Sequence, residues 1–118
     1  MIQLKVPFPN STNSHWKIAR GRHYISQKGV KFRQDVLNKV RLQGIKPFTG
    51  RLCVEVNLYP PDKRKRDIDN FGGKSLMDAL MHAGVFVDDE QIDKLIVERK
   101  EIVKGGQCIV HIKEHEKP

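Results

Sequence analysis

The chain is short of the features that would settle its class at once. It has two cysteines, one tryptophan and an aromatic content of 7%. Cys53 and Cys108 are too few for a disulfide framework and lack metal-ligand spacing. By strand alternation Cys53 goes with Glu55 and Asn57, and Cys108 with Val110 and Ile112. The two are expected on opposite sides of a sheet, as free thiols in a reducing compartment. No apolar run approaches the roughly 18 to 20 residues of a membrane span. The first residues, Met1 to Val6, show no basic segment leading into an apolar stretch, so the expectation is a cytoplasmic protein without a secretory signal. There is no repeat and no low-complexity segment. Acids are also scarce: 14 Asp and Glu face 22 Lys and Arg, a net charge of +8. In a small domain that balance points to a polyanionic partner, although a solvated basic surface gives the same count. A length of 118 residues is that of a single domain spanning 1–118.

The elements that can be read alternate between strand and helix. Ile2, Leu4 and Val6 mark a short strand closed by Pro7 and Pro9. Residues 10 to 22 read as a polar, basic loop, and residues 23 to 25 as a short strand. Ser26 is placed to cap a helix over 27–42, with Phe32, Val36 and Val40 on one stripe and Leu37 beside it. Gly44 and Pro47 end it. Leu52, Val54, Val56 and Leu58 alternate without a break up to Pro60-Pro61. The run Lys63-Arg64-Lys65-Arg66 leads into Asp67-Ile68-Asp69-Asn70. A second helix is expected over 71–83, with Leu76, Leu80 and Ala83 inward, Met77 flanking them and Gly84 at its end. Val85-Phe86-Val87 extends to Asp88-Asp89. Two strands, 94–103 and 107–113, are expected to form a hairpin through Lys104-Gly105-Gly106-Gln107. The order β-α-β-α-β-β gives an α+β domain with a mixed sheet and two main helices.

The acids invite a chemical reading. Phosphodiester cleavage needs an activated water, neutralised phosphate oxygens and a grip on the backbone. Magnesium supplies the first two and prefers one or two carboxylates with waters and phosphate. Asp67 and Asp69, two apart in an extended segment, share a face. A third carboxylate is expected from Asp88-Asp89. The helix covers about 20 Å at roughly 1.5 Å per residue. The extended return from Gly84 covers the same length at roughly 3.3 Å per residue. If the chain runs back along the helix, the two acidic pairs meet. Lys63, Arg64, Lys65 and Arg66 are then candidates for phosphate contact. Each piece also has a plainer reading. Asp69 or Asn70 would serve as a helix cap, Asp88-Asp89 as a turn, and Lys74 as a surface lysine. Asp78 would face solvent or pair with Lys74 at helical spacing.

Arg66-Asp67-Ile68-Asp69-Asn70, Lys74, Asp78-Ala79-Leu80, Ala83-Gly84-Val85 and Asp88-Asp89 together closely resemble the RusA family of Holliday junction resolvases. The resemblance extends to Pro7-Phe8-Pro9-Asn10-Ser11, Gly21-Arg22 and Lys104-Gly105-Gly106, and so covers nearly the whole chain. It implies a homodimeric, bacterial or prophage-encoded endonuclease that cuts four-way DNA junctions by paired nicks in recombination and repair. It also implies a need for Mg2+, with Mn2+ able to substitute. Carried over, the essential acids and metal ligands fall on Asp67, Asp69 and Asp89, and the active-site lysine on Lys74. This chain has one extra residue between Asp69 and Lys74, where Gly72-Gly73 lies. One residue turns a regular helix by about 100°, so Lys74 keeps that role only if the glycines interrupt the helix. A two-fold dimer suits a substrate with near two-fold symmetry and two matched cuts. Arg20, Arg22 and Lys28, in the basic stretch from Lys17 to Lys31, are further candidates for DNA contact. Trp16 either stacks on a base or packs at a sheet edge or subunit interface.

Two other readings compete. A restriction-type nuclease would use Glu98-Arg99-Lys100 with Pro61-Asp62. A non-catalytic nucleic-acid-binding module would account for the charge and treat the acids as caps.

Overall fold

The computed structural model describes residues 1–115. Its elements are β1 (Ile2–Val6), α1 (Thr12–His15), β2 (Trp16–Ala19), β3 (Arg22–Ile25), α2 (Gln27–Gln43), β4 (Leu52–Tyr59), α3 (Ile68–Gly72), α4 (Lys74–His82), a 3-10 turn (Asp89–Gln91), β5 (Ile92–Arg99) and β6 (Gln107–Glu114). The class is α+β, with a mixed four-stranded sheet in the order β1-β6-β4-β5 and a separate β2-β3 ribbon. No helix among the described residues is long and apolar enough to cross a membrane.

The core follows from alternation. Leu52, Val54, Val56 and Leu58 point to one face of β4, and the register sets Ile112, Val110 and Cys108 of β6 beside the last three. Leu4 and Val6 of β1 continue the row opposite Val110 and Cys108. Phe32, Val36 and Val40 of α2 and Leu76 and Leu80 of α4 cover that face, all buried. Each such side chain contributes about 1.5–3 kcal/mol when removed from water. Cys53, Glu55 and Asn57 lie on the other face, so the two cysteines do point to opposite sides. Both are free and buried, and burial pushes the Cys108 thiol up to about 12.

Helix α2 starts where expected: the Ser26 hydroxyl accepts from the Gly29 amide at 3.0 Å. It ends at Gly44, whose φ of 64° lies in the left-handed region that glycine adopts freely.

Four expectations are corrected. Residues 10 to 22 are not a loop, since they hold α1 and β2. The second helix is two helices, broken at Gly73, whose φ of -108° and ψ of -115° fit no helix. Strands β5 and β6 do not form a hairpin. The turn at Gly105-Gly106 exists, with φ of 84° and 72°, but β4 lies between the strands it joins. β5 pairs with β4 in parallel and β6 pairs with it antiparallel. Finally, Asp78 neither faces solvent nor pairs with Lys74. Its carboxylate bonds Arg33 at 2.8 and 2.9 Å and His15 at 2.8 Å.

That last contact explains why α1 forms at all. Four residues cannot hold a helix by propensity. Instead α1 is pinned from outside. His15, fully buried, meets Asp78 of α4. The Thr12 amide donates to the Asn70 side chain at 3.2 Å, and the Ser75 hydroxyl donates to the Asn10 carbonyl at 2.6 Å. Burial alone would raise Asp78, but the Arg33 guanidinium and the His15 ring outweigh it and hold the carboxylate below its usual range. The β2-β3 ribbon is thereby fixed against the start of α4.

Candidate active site

Asp67 and Asp69 line one open cleft together with Lys65, Arg66, Ile68 and Arg99. The local chain explains their exposure. Asp67 stands at the N-cap of α3, but its side chain makes no capping bond to the helix. The carboxylate oxygens are left toward the cleft. Gly72 lets α3 sit tightly on the sheet: a Cβ there would lie 2.5 Å from Cγ1 of Val97. The Arg99 guanidinium reaches the Arg66 carbonyl from β5.

The basic run divides. Arg66 has a side chain only 14% exposed and bonds Asp62 at 3.0 Å. Its guanidinium lies 5.5 Å from the Phe8 ring and 5.9 Å from the Phe71 ring. It holds the loop together. The same pairing keeps Asp62 below its usual range. Lys63, Arg64 and Lys65 are exposed. Arg64, Lys65 and Lys28, far apart in sequence, border one cleft with Asn10 and Ser11. Arg20 and Gly21 make the tip of the β2-β3 ribbon, both with positive φ, and Arg22 opens β3.

Asp88 and Asp89 lie elsewhere. After Gly84 the chain does not run back along α4 to the first acids. Phe86 bridges to Phe48, and the 3-10 turn then starts β5 beside Leu52. Gln91 fixes this corner. Its amide nitrogen donates to the carbonyls of Phe48 and Gly50, both at 3.0 Å. Its oxygen accepts from the amides of Val87 and Asp88 at 2.9 and 3.0 Å. Asp88 caps the turn by accepting from the Glu90 amide at 3.0 Å, which holds it below its usual range. Asp89, beside it, is pushed up by that neighbour. Arg51 clamps Glu90 and Asp93 on either side.

Asp67 and Asp69 sit at the Arg99 end of β5 and Asp89 at the Ile92 end. Eight residues of strand, roughly 23 Å at full rise, separate the two ends. Among the described residues of one chain, no group of three His, Cys, Asp or Glu side chains comes together to hold a metal. Lys74 opens α4 immediately after the break at Gly73, so the glycines do interrupt the helix. It lines a separate cleft with Trp16, Ile18 and Tyr24.

Strand parity bears on the restriction-type reading. Glu98 pairs in register with Asn57, on the open face of the sheet, while Arg99 pairs with Leu58. Glu98 bonds Lys100 at 3.0 Å, and this contact raises the lysine. Of those three residues only Arg99 lines the cleft that holds Asp67 and Asp69. Reading the three letters as a motif overlooked Arg99. The period-2 pattern of β5 was the available signal.

A basic α+β domain with an open carboxylate pair in a cationic cleft has the build of a protein that processes nucleic acid. Residues 6–113 match the family model described as endodeoxyribonuclease RusA, and the chain belongs to that family. It is 42% identical over 115 residues to the crossover junction endodeoxyribonuclease RusA of Enterobacteria phage HK97, covering 97% of this chain and 95% of that protein. It is 30% identical over 112 residues to the proteins of the same name from Escherichia coli strain K12 and Enterobacteria phage 82, covering 94% of this chain and 92% of each. Membership in this family sets the restriction-type reading aside.

Proposed function

We propose that this chain is a Holliday junction resolvase that works as a homodimer and needs a divalent cation, magnesium by preference. The observation that carries the reading is the pair Asp67 and Asp69, uncommitted to helix capping and open to a cationic cleft, in a chain of the RusA family. Two hard carboxylate donors suit a magnesium ion, which completes its shell with water and phosphate. Such an ion, when bound, neutralises phosphate oxygens and acidifies a water. The protein's own groups do the rest. Lys63, Arg64, Lys65, Lys28, Arg20 and Arg22 hold the DNA backbone, and Arg99 offsets charge beside the acids. Lys74, the first residue of α4, is a further candidate for phosphate contact.

Asp89 belongs to the same site through the dimer. Strand β5 is one of the two outer strands of the sheet. Leu95 on one face is 44% exposed and Ile96 on the other is 37% exposed. An eight-residue edge exposed on both faces is a pairing surface. A second copy docked antiparallel about Ile96 would set Lys94 against the partner's Glu98 and Asp93 against the partner's Arg99, opposite charges in both cases. The same pairing carries the partner subunit's Asp89 to the Arg99 end, where Asp67 and Asp69 are. Two composite sites result, related by the two-fold axis, as paired nicks require. Asp89, crowded by Asp88, gains most from a cation, while Asp88 is engaged in its cap.

The test is a synthetic four-way junction compared with a linear duplex of the same sequence, with and without magnesium. Paired nicks in the junction alone, only with metal, are expected. Tight binding with no cleavage at any metal concentration would return the chain to a non-catalytic binding module. The family's setting in bacteria and their phages agrees with a cytoplasmic site of action.

A further inference from the structure

The ribbon β2-β3 and the start of α4 border an open cleft of about 690 Å3, lined in part by Trp16, Lys17, Ile18, Tyr24 and Lys74. Trp16, Ile18 and Tyr24 give it aromatic and aliphatic walls. Ile18 is 69% exposed and Tyr24 is 47% exposed, so the fold does not need these side chains for its core. Trp16 is held at the base by an edge contact to His15, ring centroids 4.5 Å apart. His15 is in turn bonded to Asp78, so the platform is rigid. The Thr12 amide is tied to Asn70, the residue after Asp69. The cleft is therefore built onto the segment that carries the acids.

We infer that this cleft receives one unstacked nucleobase of the bound DNA, next to the strand being cut. The inference rests on the junction-cutting reading above. The volume is that of a small-molecule pocket. Aromatic and aliphatic walls suit a base, because every base has a π-face to stack. Lys17 and Lys74 on the rim, with Arg20 and Arg22 at the ribbon tip, suit the phosphates on either side. Asn13, Thr12 and His23 offer hydrogen-bonding edges, so the cleft can prefer one base to another. The same rim argues against a second copy of this chain as the occupant, since a subunit of net charge +8 would bring more cations to it. At the branch point of a junction the stack is interrupted, and a base there is the cheapest to extrude.

Trp16 is the only tryptophan, so its emission reports on the cleft alone. The experiment adds a synthetic four-way junction to the full-length protein in EDTA, following Trp16 emission and, on labelled junction, anisotropy. A matched set of junctions carries a single abasic site at each nucleotide near the branch in turn. Emission is expected to change on binding. One abasic position is expected to abolish that change and to weaken binding about tenfold, the loss of one stacked base. Trp16→Leu should weaken the intact junction to a similar degree and make that abasic position silent. Ile18→Ser, at an exposed side chain, should weaken it several-fold without a loss of thermal stability. Full binding by anisotropy with unmoved emission, or equal emission changes for every abasic position, overturns the cleft as a base site and leaves the resolvase reading standing. No junction binding by anisotropy overturns both. Emission that shifts on dilution of the protein without DNA gives the cleft to a second copy.

Discussion

The two ends of β5 carry acidic pairs in opposite conditions. At the Arg99 end, Asp67 heads a helix but makes no capping bond, and Asp69 lies in the first turn of that helix. At the Ile92 end, Asp88 is fully engaged as a cap and Asp89 is crowded by it. The contrast teaches that a pair of adjacent acids is not one kind of object. What matters is which oxygens the backbone has already claimed. One end offers two carboxylates and the other offers one, and the dimer proposed above is the arrangement that would bring the three together.

The strongest way to break this comparison is to remove charge from the open end. Asp69→Asn should abolish junction cleavage, with junction affinity by gel shift nearly unchanged. Cutting at the normal rate would dismiss the cleft as the active site. A sharper test mixes two inactive variants, Asp69→Asn and Asp89→Asn, and lets subunits exchange. If each site draws Asp89 from the partner, the mixed dimer holds one intact site and nicks one strand. If each site lies within one subunit, both sites are broken and the mixture stays inactive.

A third prediction separates the edge from the core. Asp78→Ala leaves Arg33 and the buried His15 without their partner, and should cost about 3 kcal/mol of stability in denaturant unfolding. Because Asp78 is held below its ordinary value of 3.8, its contribution is complete above that value. It is lost as the pH falls through the depressed folded value. Unfolding curves of the parent should therefore weaken at low pH more than those of Asp78→Ala. The smallest effect is expected at the strand edge. Lys94→Glu should raise the dimer dissociation constant by several-fold in sedimentation, and adding Glu98→Lys should recover most of it. No change in either would place the dimer contact away from β5.

Much of this was legible along the chain. The alternation in β4, the Ser26 cap and the Gly44 stop are local signals, and local chemistry decides them. The acids of Asp67-Ile68-Asp69 were legible as candidates for the same reason. What could not be read was non-local. The glycines at 105 and 106 suggested a hairpin turn, but the Gly106 amide bonds the Val103 carbonyl, only the second of the two central residues has positive φ, and the strands on either side are parted by β4. α1 exists because Asn70 and Asp78 hold it, and neither is near in sequence. The helix break at Gly73 had a local signal in the Gly72-Gly73 pair, but the stripe of Leu76, Leu80 and Ala83 lies wholly after it and says nothing of where the helix begins. The matched lengths that suggested a return to Asp67 assumed one unbroken helix over 71–83, whereas α4 has nine residues, and they were silent about direction. Gln91, whose four hydrogen bonds set the true path, looks in the sequence like any surface glutamine.

Gly72 has a wider consequence. Because it has no side chain, α3 presses directly against Val97 and Leu58. Asp67 at the head of α3 and Asp69 in its first turn thus share a mounting with β5, an edge strand of the sheet. In the dimer proposed above, a change at that edge would pass to the two acids through one layer of atoms, and a lone subunit would lack the support that its partner gives the cleft.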